Sequence, residues 1–101
     1  MATERFHPLF AEDLRAACEY YASISTDLGS RFRNRVQARL LDISVRPQSL
    51  GRVGADYRGA LVSGFPYVVV FAADQDRITF FGIRHAASDH GSWFSRSMPK
   101  C

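Results

Sequence analysis

Apolar residues recur at three- and four-residue steps in the first half of the chain and gather in short blocks in the second, so helices should precede strands. Phe10, Leu14, Ala17, Cys18, Tyr21 and Ile24 make one stripe on a helix running from about Leu9 to Ser25, with Glu19 and Tyr20 off the stripe. Pro8 suits its first turn, and Glu12 and Asp13 place negative charge near its positive end. Leu28, Phe32, Val36, Leu40 and Ile43 repeat the spacing on a second helix, capped by Thr26 and Asp27 and ended by Pro47. With almost no linker between them, the two helices should form an antiparallel hairpin. Arg31, Arg35 and Arg39 line up on the outer face of the second helix, with Arg46 near its end and Asp42 as local counter-ion, and a solvated face is the default reading of such a row.

After an extended start at Thr3 to Phe6, the helices and a glycine-containing loop from Gln48 to Ala55, three strands are expected: Tyr57 to Val62, Phe65 to Ala73 and Arg77 to Arg84. Ser63-Gly64 and Asp74-Gln75-Asp76 join them into consecutive antiparallel neighbours. The fold class is therefore α+β, an N-terminal helical hairpin packed on a small antiparallel sheet, in a single domain over residues 1–101. Val68 to Ala73 is apolar on both alternating faces, so both sides of the sheet want cover. The helices hide one side, which leaves the other to the segment around Trp93 and Phe94 and in part to another protein chain.

A length of 101 residues allows one small core, and 47% hydrophobic residues are enough to fill it, which excludes wholesale disorder. No apolar run approaches the roughly 20 residues that span a bilayer, and Met1 to Phe10 lacks a secretory pattern, so a cytoplasmic protein without a membrane partner is expected. Cys18 reads as core and Cys101 as an incidental thiol. The net charge of +3 rests on arginines plus the single Lys100, and guanidinium groups suit carboxylate or phosphate partners.

Hydrolytic and metal chemistry find little support. Ser88, Asp89 and His90 are adjacent, which rarely lets a nucleophile, base and orienting group converge, and His85 and His90 lack zinc-ligand spacing, so no metal or cofactor is expected. What remains is an arginine-aromatic group of Arg58, Arg84, His85, Trp93 and Arg96. Metal-independent RNA cleavage needs a base, an acid and cations against the phosphate, and this set contains those types. Each residue also has a structural reading: Arg58 pairing across strands, His85 hydrogen-bonding at a strand end, Trp93 capping the core.

The order Ala11-x-Asp13-Leu14, Tyr20-Tyr21, Leu28-Gly29-x-x-Phe32, Pro47, Arg58, Leu61, Phe65-Pro66-Tyr67, His85 and Trp93-x-x-Arg96 resembles the RelE/ParE toxin superfamily of bacterial type II toxin-antitoxin systems over nearly the whole chain. The resemblance implies a toxin in a hetero-oligomer with a co-expressed antitoxin, whose C-terminal region covers apolar and basic surface. Ribosome-dependent nucleases of the superfamily often carry Tyr-Arg on the central strand and lysines before it, whereas here Val68 follows Tyr67 and Lys100 is the only lysine. The Phe-Pro-Tyr form is similar to the ParE-like branch, associated with plasmid stabilisation, which acts on DNA gyrase without an established hydrolytic site. The resemblance thus implies a non-enzymatic gyrase inhibitor with Arg58, Tyr67, Arg84, His85, Trp93 and Arg96 as target- or partner-binding residues and none as catalytic. The alternatives are a RelE-type mRNA endoribonuclease using Arg58, Arg84, His85 and Arg96, or a weakened toxin that retains only antitoxin binding. Ser88, Asp89 and His90 stand where many members have an arginine, an acidic residue and a proline.

Overall fold

The computed structural model describes residues 3–45, 57–74 and 77–87. Strand β1 (Thr3–Phe6) leads into helices α1 (Phe10–Ile24) and α2 (Thr26–Val45), and strands β2 (Arg58–Leu61), β3 (Tyr67–Asp74) and β4 (Arg77–His85) follow. The sheet order is β1-β4-β3-β2. The α+β architecture is the expected one, but the sheet is mixed: β1 joins as a fourth strand, parallel to β4, with Thr3 opposite Arg77 and Phe6 opposite Phe80. Its four residues are all exposed, so no apolar alternation announces them as a strand. The Phe6 ring stacks on Phe80 at 4.7 Å, and the His7 N–H extends the ladder by donating to the Phe80 carbonyl at 2.8 Å.

His7 is buried and begins α1 with an unexpected device: its Nδ1 accepts the Leu9 N–H at 3.0 Å, and its carbonyl accepts the Phe10 N–H at 2.9 Å. A single extended residue, Ser25, turns the chain between the helices. Its N–H donates to the Tyr21 carbonyl at 3.0 Å, closing α1, while its hydroxyl oxygen accepts the Leu28 N–H at 3.3 Å, opening α2. The cap of α2 is therefore Ser25, one residue before the expected Thr26 and Asp27; Asp27 instead pairs with Arg31 at 3.1 Å. Gly29, on the first turn of α2, faces Ala22 so closely that a β-carbon there would lie 2.9 Å from that of Ala22. The hairpin crosses at this point because no side chain intervenes.

One face of the sheet carries the core. Phe10, Ala17, Cys18 and Tyr21 of α1 and Phe32, Val36 and Ile43 of α2 meet Ala60, Val62, Val69, Phe71, Ile78, Phe80 and Ile83. The expected stripes are realised except at Ile24, the last residue of α1, which is exposed. Burial of the Cys18 sulfur also holds its thiol above its ordinary pKa, consistent with a core role.

Between Val70 and Phe71 the register shifts: Val70 lies opposite Gly82, while Phe71 lies opposite Phe80, so Phe81 is an extra residue on β4. The bulge reverses the side-chain alternation beyond it, and Phe80 and Ile83, three apart, both join the core. The Asp13 carboxylate of α1 accepts the Ile83 N–H at 3.2 Å just past the bulge. On the face turned away from the helices, Val70 is fully buried and Phe81 keeps 8% of its surface, so those side chains are already hidden in the single chain and need no second protein to cover them.

Candidate functional site

Tyr67 opens β3 directly opposite His85, which closes β4, and their rings meet edge to face at 5.4 Å. His85 is exposed, and its Nδ1 accepts the Ala87 N–H at 3.1 Å, so the neutral ring carries its proton on Nε2. Tyr67 also packs edge to face on Tyr21 at 5.9 Å and Phe32 at 5.2 Å, and Tyr20 lies against Tyr21 at 5.1 Å. Burial, followed by the nearby Tyr20 phenol, raises the pKa of Tyr67. Tyr21 is raised by burial first and then by Tyr67 and Tyr20. These phenols are protonated donors at neutral pH, which suits binding rather than nucleophilic or general-base work. The turn before β3 fixes this end of the sheet: Val62 N–H donates to the Tyr67 carbonyl at 2.8 Å, Gly64 adopts a left-handed φ of 81°, and Ala86 N–H donates to the Pro66 carbonyl at 2.9 Å.

The structure does not bring all of the arginine set to this end. Arg84 is buried at 6% exposure and lies opposite Val68, on the side of the sheet away from the helices. Arg58 is half-buried at the start of β2, opposite Phe71, and shares the helix side with Ala60. Three strand positions separate the pairs Val68–Leu61 and Phe71–Arg58, or about 10 Å at ~3.3 Å per residue. The bulge at Phe81 is responsible for the split: without it, Arg84 would share the face of Phe80 and Arg58. Trp93 and Arg96, like Arg46 and Cys101, lie outside the described residues.

Tyr20 enters this neighbourhood although sequence reasoning assigned it no role. It is exposed at 59% and its ring meets Tyr21, which in turn meets Tyr67. The signal that could have identified Tyr20 is a large aromatic ring off the predicted stripe, next to Tyr21 on it.

On the outer helical surface, Arg15 pairs with Glu12 and with Glu19 at 3.2 Å, and Arg39 pairs with Asp42 at 3.1 Å. Arg39 also donates from Nε to the Leu61 carbonyl at 2.8 Å, tying α2 to β2, so it is more than a solvated charge. Among the described residues, Arg33 and Arg35 take part in no ion pair.

A family model described as the ParE toxin of the type II toxin-antitoxin system parDE matches residues 5–90. The chain belongs to the ParE toxin family. Among solved structures, the chromosomal ParDE toxin-antitoxin system of P. aeruginosa contains a similar chain, with a TM-score of 0.72 and 18% identity over 84% of this chain and 96% of that one. The isolated E. coli RelE toxin is similar in fold, with a TM-score of 0.62 and 13% identity over 94% of this chain and 95% of that one. No curated protein sequence matches. This ParE-family chain is thus a toxin of a type II system, a class whose members have a cognate antitoxin, and among its described residues no helix is long and apolar enough to cross a membrane.

Proposed function

We propose that the chain acts in the cytoplasm as a non-enzymatic inhibitor of DNA gyrase and is neutralised by its cognate antitoxin. The observation that carries this reading is the separation of Arg58 from Arg84 and His85. Metal-independent RNA cleavage needs its acid, base and cations around one phosphate, and two of the three candidates among the described residues lie on opposite faces of the sheet. The Tyr67–His85 end offers aromatic rings and hydrogen-bond donors, which are binding groups. In this reading Tyr67, His85, Trp93 and Arg96 contact the target, while Arg58 and Arg84 hold the sheet.

The test is plasmid supercoiling by purified gyrase with increasing amounts of the folded chain, with and without the co-expressed antitoxin. Inhibition or accumulation of cleaved DNA, reversed by antitoxin, is expected. Intact supercoiling together with ribosome-dependent mRNA cutting that Arg58→Ala or Arg84→Ala abolishes would replace this reading with the nuclease. Neither effect, with antitoxin still bound, would leave a chain whose remaining role is antitoxin binding.

A further inference from the structure

Strand β2 is an edge of the sheet, and the bonds it makes inward fix which of its groups face outward. Val62 N–H donates to the Tyr67 carbonyl, so antiparallel alternation turns the N–H and C=O of Leu61, and those of Gly59, to the open side. Such an edge is a template for any extended chain, and folded proteins blunt it with charge, proline or a bulge. At the other edge, β1 carries Glu4 and Arg5, both exposed. Past Arg58, β2 carries only Gly59, Ala60 and Leu61, and Leu61 is 56% exposed. The charge comes from α2 instead. Half-buried Arg39 donates from Nε to the Leu61 carbonyl at 2.8 Å, and Asp42 holds its Nη1 at 3.1 Å.

We propose that Arg39 shuts this edge against a second copy of the chain, by holding the Leu61 carbonyl that an added strand would need. A second copy is the occupant at issue because β2 fits itself. A symmetric antiparallel pairing centred on Ala60 sets Gly59 of each copy opposite Leu61 of the other, joining the outward groups in roughly four main-chain bonds. Opposite residues share a face, so each exposed Leu61 side chain covers the other copy's Gly59. The same register puts Arg58 opposite Val62 rather than opposite itself, so like charges do not meet. Nothing on the strand itself repels its twin, and the obstacle is the guanidinium. Its charge-assisted bond occupies the acceptor that the Gly59 N–H of the second copy requires. This inference rests on main-chain geometry and is independent of the gyrase reading.

The test measures the light-scattering mass of the purified free chain over a concentration series, with thermal melts to verify folding. Arg39→Met keeps an apolar stem and removes the donors; its mass is expected to rise about twofold with concentration, while the wild type stays monomeric. Arg35→Met removes the same charge one turn earlier on α2, from an exposed arginine, and should stay monomeric. Adding Leu61→Lys to Arg39→Met puts a charge on the edge itself and should restore the monomer. A folded Arg39→Met chain that stays monomeric would overturn the proposal. Equal association of Arg35→Met and Arg39→Met, association that survives Leu61→Lys, or a wild type already dimeric would overturn it too. Should Arg39→Met fail to fold, Asp42→Ala decides: this exposed change loosens the guanidinium, so a rise in mass supports the guard and a strictly monomeric chain refutes it.

Discussion

Gly29 shows how one missing side chain sets the spacing of two helices. A β-carbon there would sit 2.9 Å from the Ala22 β-carbon, a rigid atom with no rotamer to yield. Overpacking of this kind costs about 1–3 kcal/mol, against a gain of about 1 kcal/mol from replacing glycine within a helix. Gly29→Ala is therefore expected to lose about 1 kcal/mol in urea unfolding, and the double variant Ala22→Gly/Gly29→Ala should lose less than the sum of the two single changes. Tyr67 makes a second prediction. Burial and the Tyr20 phenol hold its pKa above the ordinary value of about 10, so at alkaline pH the unfolded chain releases this proton before the folded chain does. The associated stability is complete below about pH 10 and declines as pH rises through the folded-state value. Tyr67→Phe should make the denaturant midpoint fall less steeply between about pH 9 and pH 11, and an unchanged slope would mean the phenol is not buried as described.

Among the elements, the helices were the most legible because a 3.6-residue period leaves a dense trace: nearly every stripe residue that periodicity selects is in the core. Ile24 escaped because a stripe says nothing of where the partner surface ends, and the chain turns at the next residue. Strand β1 was not legible as part of the sheet, since parallel pairing at an edge is fixed by backbone hydrogen bonds that four exposed residues do not encode. The bulge at Phe81 was equally hidden, because composition does not reveal a register shift. Its consequence was large: side chains counted by simple alternation would have put Arg58 and Arg84 on one face. Asp13 ties α1 to this irregularity through a charge-assisted bond to the Ile83 N–H. Hydrogen bonds to charged groups contribute about 1.5–3 kcal/mol, so Asp13→Ala should destabilise by that order in urea unfolding, with Asp13→Asn, which keeps an acceptor, losing less.

For the molecule as a whole, family and fold are shared with toxins, and in the proposed reading the target is met by what the sheet end presents. The Tyr67–His85 pair was foreseen as two separate binding candidates, but their edge-to-face contact depends on register and appeared only in three dimensions. Arginine-rich composition suggested carboxylate or phosphate partners, whereas the fold divides that charge among intrahelical pairs, a strand tie at Arg39 and a buried Arg84. Total charge was therefore a poor guide to where a partner would sit. Run with Tyr67→Ala and His85→Ala variants that melt like the wild type, the gyrase assay accordingly tests the Tyr67–His85 end, where loss of inhibition is expected.

The parallel partnership of β1 with β4 has a further consequence for biosynthesis. Thr3 lies opposite Arg77, a separation of 77 − 3 = 74 residues, so this edge of the sheet closes a loop that takes in most of the chain. Loop closure must precede the reward of such a distant contact, and chains emerge from the ribosome N-terminus first. The helical hairpin can condense early, but β1 must wait for β4 to be synthesised. A growing chain therefore lacks this edge of its sheet until β4 has emerged, although the Tyr67–His85 end, which pairs β3 with β4, does not wait for β1.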